Sequence, residues 1–164
     1  TAGGNVHVRA IDGQEVTLVT AATARDIFGY AWANNNRIVY IQDTGGDENF
    51  HGYAVNLDGS NFLDLTPFAA VQARLVDILE DDDEHMLIAL NQRDARIHDV
   101  YRVNVNTAEL VMVAENPGNI MGWNTDNAGR TMTFKYEIRG EFLGDLDAVL
   151  TVDRTVAIAA YAPH

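Results

Sequence analysis

The sequence predicts an all-β fold built from short antiparallel strands in repeated units. Three observations carry that expectation. Residues 33–58 and 81–106 align without a gap at an offset of 48, so that "IVYIQ" falls on "MLIAL" and "YAVNLD" on "YRVNVN". Within the later part of each copy the apolar residues alternate: Tyr53, Val55 and Leu57 with Ala54 and Asn56, then Tyr101, Val103 and Val105 with Arg102 and Asn104. A period of two marks a strand with one face toward a core. Asp58-Gly59 and Asn106-Thr107 follow these runs and suit tight hairpins, and 13 Gly against 3 Pro fits a chain of many short turns.

The elements follow in order. "HVRAIDGQEVTLVT" (7–20) lies over "YAVNLDGSNFLDLT" (53–66) at an offset of 46, so residues 1–26 read as half a unit, its two outer strands. Residues 27–70 form a full unit: an aromatic-rich inner strand "IFGYAWA", the run "RIVYIQ", the alternating strand "YAVNLD" and a fourth strand "FLDLT" (62–66). Residues 71–117 repeat it and end on "ELVMVAE" (109–115). Taken locally, "PFAAVQARLVDILEDDDEH" (67–85) suits a helix, but the repeat sets Leu75–Leu79 over Ile27–Ala31 and so predicts an inner strand. Residues 118–164 begin a third unit, with Trp123 echoing Trp32 and Arg130 echoing Arg37. Its second half, "DAVLTVDRTVAIAAY" (147–161), keeps the pattern loosely, as a diverged unit or a tail.

Four antiparallel strands in a repeat of roughly 46 residues are the mark of a β-propeller blade. The expected fold is therefore a single domain over 1–164, a partial β-propeller of about 3.5 four-stranded blades. Such an open ring exposes strand edges and apolar faces, so completion or covering by a second copy is expected. Two half-rings would make seven blades, and a homodimer is the expected partner state.

The stretch "GYAWANNNRIVYIQDTGGDENFHGYAVNLDGSNFLDLTP" resembles a blade of the N-terminal propeller of the prolyl oligopeptidase family of serine peptidases, whose blades are similar to those of TolB-type propellers. The likeness covers roughly residues 5–130. It rests on the aromatic inner strand, the Arg-led second strand, "DENFH" before the third strand and "NLDG" at the hairpin. In that family the propeller is a lid over a separate α/β-hydrolase domain carrying a Ser-His-Asp triad. The resemblance implies the lid's architecture and carries over no catalytic residue. No G-x-S-x-G occurs, and the only serine, Ser60, falls in a hairpin turn.

Bulk properties narrow the function classes. The formal charge of −13 opposes binding to phosphate backbones and anionic lipid, so neither nucleic acid nor membrane is an expected partner. The absence of cysteine excludes disulfides, thiol catalysis and Cys-ligated zinc, and leaves the compartment open. No apolar run approaches the length of a membrane helix, and "TAGGNVHVRA" shows no targeting signal.

Candidate chemistry is sparse. His51 and His98 stand at nearly equivalent positions just before the third strand of neighbouring blades, with Asp99 lying over His51; a small residue at Gly52 leaves room for a hollow beside them. Two imidazoles and a carboxylate suit zinc, or acid–base work near neutral pH. His7 in the half-blade and Asp47 in "DTGGDEN" are further possible contributors, and His164 is expected to be a free end. The run "EDDDEH" (80–85) offers carboxylates for calcium but lacks calcium-loop spacing and reads as a solvated turn. Phe28, Tyr30, Trp32, Tyr40, Tyr53, Tyr101, Trp123, Phe134 and Tyr136 recur with the repeat and are expected to form inter-blade core. Two functions follow. One is a non-catalytic binding and assembly module with a small-molecule or peptide ligand. The other is a small metal-dependent ester or phosphoester hydrolase with a His/carboxylate site at a dimer interface or central pocket.

Overall fold

The computed structural model describes residues 4–118, 120–125, 132–136 and 153–156, the last two segments as strand backbone. The expected all-β architecture is borne out: the described residues contain no helix. A two-stranded sheet pairs β1 (His7–Val8) with β2 (Thr17–Leu18). One four-stranded antiparallel sheet runs in order through β3 (Gly29–Asn34), β4 (Arg37–Gln42), β5 (His51–Asn56) and β6 (Leu63–Asp64). A second runs through β7 (Ala73–Asp77), β8 (His85–Asp94), β9 (Ile97–Asn104) and β10 (Leu110–Ala114). The third unit shows β11 (Ile120–Thr125), β12 (Met132–Tyr136) and β13 (Asp153–Val156) in one antiparallel sheet. Its expected fourth strand, Arg130 and His164 lie outside the described residues.

The second strands of the blades read as unbroken apolar runs because both of their faces are buried. In β4, Val39 and Ile41 face the next blade, where they meet Met86, Ile88, Leu90, Val103 and Val105. Ile38 and Tyr40 face the other way and pack with Val6 and Val19 of the half-blade. The same alternation recurs in β8, whose Leu87 turns toward Val100 and Trp123. Arg37 fastens two blades together. It is buried, and its guanidinium donates to the Val105 carbonyl of the next blade at 2.7 Å, to Asn56 Oδ1 at 2.7 Å and to the Asn61 carbonyl at 2.9 Å.

Two expectations need correction. The segment 67–85 does form an inner strand, but its register differs from the gapless alignment by three residues. Leu75 pairs with Ile88 as Tyr30 pairs with Tyr40, so Leu75 is the counterpart of Tyr30, and Arg74 of Gly29. The cause is a longer connection to the second strand: nine residues separate the paired Tyr30 and Tyr40, and twelve separate Leu75 and Ile88. The aromatic set is also divided. Tyr40 and Tyr101 are core, but Phe28, Tyr30 and Trp32 are exposed by 77%, 60% and 46%. The half-blade provides counterparts only of β5 and β6, so nothing in it lies over β3. The side chains of Phe134 and Tyr136 lie outside what the structure describes.

Candidate functional site

The five expected site residues are placed separately. His7 lies exposed on β1, its Nδ1 3.3 Å from the Asn5 carbonyl. His51 opens β5, its Nδ1 3.0 Å from Asp64 Oδ2 and its ring stacked on Tyr53. Asp47 accepts hydrogen bonds from the Asn49 backbone N–H at 3.0 Å and the Asn49 amide at 3.1 Å, which hold it below the usual carboxylate range in an exposed loop. Asp99 takes the counterpart position of His51, as the alignment expects, and is fully buried. Arg93 grips it with Nε and Nη2, both at 2.9 Å, and the Asn116 backbone N–H donates to it at 2.7 Å. Burial alone would raise its pKa, but those donors and the Arg93 charge hold it below the ordinary value. Among the described residues no three His, Asp or Glu side chains converge as a metal site would require.

The space at Gly52 is about the size of one methyl group. A Cβ there would meet Ile41 Cδ1 and Thr66 Cγ2 at 3.8 Å, and the Gly52 N–H donates to Thr66 Oγ1 at 3.0 Å. Asp82, in the acidic run, is also occupied: His85 Nδ1 lies 3.0 Å from it and Arg102 donates to it. Burial opposes its ionisation, but these partners win and bring its pKa down to about 2. The run is a braced turn, not an open ligand set. Ser60 hydrogen-bonds Asp58 within its hairpin, at 2.6 Å.

Open space lies instead along the inner strands. Between β3 and β7 is a cavity of about 440 Å³ lined by Phe28, Gly29, Ile41, Phe50, Leu75 and Arg74 among others. On the other side of β7, toward β11, a second cavity of about 400 Å³ is lined by Arg74, Ala89, Arg96, His98, Ile120 and Trp123 among others. Sequence reasoning missed Arg74, which borders both; its signal was a lone cation between two apolar residues in "ARL". His98 Nε2 is buried and has no hydrogen-bond partner. Burial, then the Arg74 charge, bring the His98 pKa down to about 4 against a smaller opposing effect of Asp99, so the ring is neutral at pH 7.

No protein-family model matches the chain. Dipeptidyl aminopeptidase BIII of Pseudoxanthomonas mexicana is 33% identical over 147 residues, covering 88% of this chain and 21% of that protein. The homologues of this chain are dipeptidyl peptidase family members. Dipeptidyl peptidase family member 6 of Caenorhabditis elegans is 30% identical over 125 residues, covering 68% of this chain and 16% of that protein. The chain thus spans about a fifth of the length of these relatives. Among solved structures, TolB from Acinetobacter baumannii superposes with a TM-score of 0.56 at 10% identity, over 84% of this chain and 33% of that one. Oligogalacturonate lyase in complex with manganese superposes with a TM-score of 0.60 at 12% identity, over 75% of this chain and 33% of that one. The likeness to a peptidase-type, TolB-like propeller is borne out, and the solved structures speak for the fold alone. No helix among the described residues is long and apolar enough to cross a membrane.

Proposed function

We propose that this chain is a non-catalytic binding propeller of a dipeptidyl-peptidase-type protein, which receives a peptide along its inner strands and does not itself break a bond. One observation carries this reading. The open cavities flank β7, whereas the groups that would perform hydrolysis are committed elsewhere: Asp99 to Arg93, His51 to Asp64, and Ser60 to Asp58. General base and nucleophile must lie within hydrogen-bond reach of each other, and among the described residues no such pair lines either cavity. The test is to incubate the purified chain with dipeptidyl chromogenic amides and with simple esters and phosphoesters, with and without chelator. Short peptides are titrated in parallel by NMR. The reading requires no turnover, and shifts at Leu75, Ile97 and Trp123 on peptide addition. Chelator-sensitive turnover would replace it with the metal-dependent hydrolase.

Assembly belongs to the same reading. The exposed Tyr30 and Trp32 favour a homodimer, since contiguous apolar surface at a sheet edge is a site of association. Light scattering should give twice 18.0 kDa, and Tyr30→Thr with Trp32→Thr should return the mass to 18.0 kDa. A wild-type mass of 18.0 kDa at high concentration would remove the homodimer.

A further inference from the structure

The cleft around β7 has an electrostatic character opposite to that of the chain. With 24 acidic residues the chain carries −13, yet among the described residues no carboxylate lines either cavity beside β7, while Arg74 and Arg96 do. The other arginines of the two full blades are committed. Arg37 is spent on carbonyl and amide oxygens, Arg93 on Asp99, Arg96 on Asp94 and Arg102 on Asp82. Arg74 is exposed and donates to the uncharged amide oxygen of Gln72 at 2.9 Å. Among the described residues it forms no ion pair. His98 lines the second cavity, and its Nε2 is a buried polar atom with no partner. A buried polar atom left unpaired costs free energy that a ligand can recover. The first cavity, reached from the same guanidinium, is apolar, with Phe28, Ile41, Phe50 and Leu75 in its wall.

We infer that this cleft binds a carboxylate, held by the Arg74 guanidinium and the His98 Nε2–H, with an adjoining apolar side chain of the ligand seated among Phe28, Phe50 and Leu75. Resting on the peptide-binding reading above, the ligand class is a peptide with a free C-terminal carboxylate on a large apolar residue. Guanidinium and carboxylate match in shape as well as charge, and a planar fork on a rigid strand loses little freedom in binding. The charged groups around the His98 ring are Arg74 from β7, Arg96 from the β8–β9 hairpin and Asp99 on β9 itself. The lining residues from β11, Ile120, Gly122 and Trp123, carry no titratable group. A bound carboxylate offsets the Arg74 charge and hydrogen-bonds the ring, so it favours the imidazolium and moves the His98 midpoint upward from about 4.

The experiment compares N-acetyl-Gly-Phe as the free acid, its C-terminal amide, and 3-phenylpropionate, each titrated into the full chain up to about 10 mM, a range that detects millimolar affinity. Binding is read by NMR together with the His98 ring signal, assigned by its loss in His98→Gln. The free acid should bind at least tenfold tighter than the amide and raise the His98 midpoint. Arg74→Gln, at an exposed position, should keep the fold and remove both the preference and the rise. If acid and amide bind alike, with shifts at the same inner strands, the carboxylate inference fails and the peptide-binding reading stands. If none of the probes binds, both fail. If 3-phenylpropionate matches the peptide acid, the carboxylate site stands and its ligand is a small organic acid. A preference that survives Arg74→Gln in a folded variant would overturn the assignment of Arg74.

Discussion

Removing Arg93 should cost the fold more than neutralising the carboxylate it holds, and the structure sets the size of that difference. Asp99 is fully buried, and its three donors are Arg93 Nε and Nη2 at 2.9 Å and the Asn116 N–H at 2.7 Å. Arg93→Ala takes two of these away and leaves a buried carboxylate with one of its three donors. Breaking a buried pair from one side costs about 3–5 kcal/mol. The Arg93 side chain is itself 38% exposed, so solvent already screens part of the attraction, and about 3 kcal/mol is the better expectation. Asp99→Asn leaves the opposite remnant. The amide oxygen still accepts from Asn116, while Arg93 keeps the Asn116 carbonyl at 2.8 Å and Glu115 at 3.5 Å and can reach water. Its cost should be about 1.5 kcal/mol, that of one charge-assisted hydrogen bond.

Urea unfolding followed by tryptophan fluorescence suits the measurement, because Trp123 Nε1 donates to the carbonyl of His98, next to Asp99. The pH dependence supplies a second check. The native Asp99 pKa lies below its ordinary value, so its stabilisation is present above the ordinary carboxylate range and is lost as pH falls through the depressed native value. In Arg93→Ala, burial pushes the same group up, and the gap between wild type and variant should narrow as pH drops below about 4. If Arg93→Ala proves the milder variant, or the gap is unchanged between about pH 7 and pH 3.5, the pair does not hold the blade as described.

Arg37→Met should destabilise by about 3 kcal/mol, since the carbonyls of Val105 and Asn61 lose their buried donor; a lowered urea midpoint with unchanged slope would show it. Gly59→Ala places a side chain at φ +80° in the β5–β6 hairpin and should cost about 1 kcal/mol by the same assay. Asp82, whose native pKa is about 2, stabilises above the ordinary carboxylate range and loses that contribution as pH falls toward about 2. Asp82→Asn should therefore flatten the acid limb of the stability profile, and an unchanged limb would place the stabilisation elsewhere. Ile88→Ala, at a fully buried position between the two full blades, should cost about 2–5 kcal/mol in thermal or urea unfolding.

The strands were legible wherever chemistry repeats in phase. "RIVYI" and "MLIAL" declare themselves because both faces of β4 and β8 are buried, and Asp58-Gly59 marks its hairpin because only a turn uses that backbone. The register of β7 was not legible, since the added length lies in the loop 78–84, where acidic turn residues carry no phase. The site was harder still. His51 and Asp99 do occupy matching positions, but each is bound locally, by Asp64 and by Arg93, and pair partners several residues or strands away leave no spacing signature. Arg74 could not be singled out because its meaning lies in what the surrounding side chains lack, a carboxylate, and that is a property of the assembled cleft.

The half-blade and the exposed aromatics are two views of one arrangement. Tyr30 and Leu75 are counterparts, each opposite a residue of the second strand that faces the preceding blade, Tyr40 and Ile88. Leu75 is partly buried against the inter-blade core because a full blade precedes it, whereas Tyr30 is 60% exposed because β1 and β2 reach only as far as Ile38, Tyr40 and Val55. Edges meant for water are guarded by charge or proline. Between Ile27 and Asn34 there is neither, and the rings of Tyr30 and Trp32 are exposed. Under the proposed self-association, loss of Tyr30 and Trp32 should therefore alter association far more than the stability of the isolated fold.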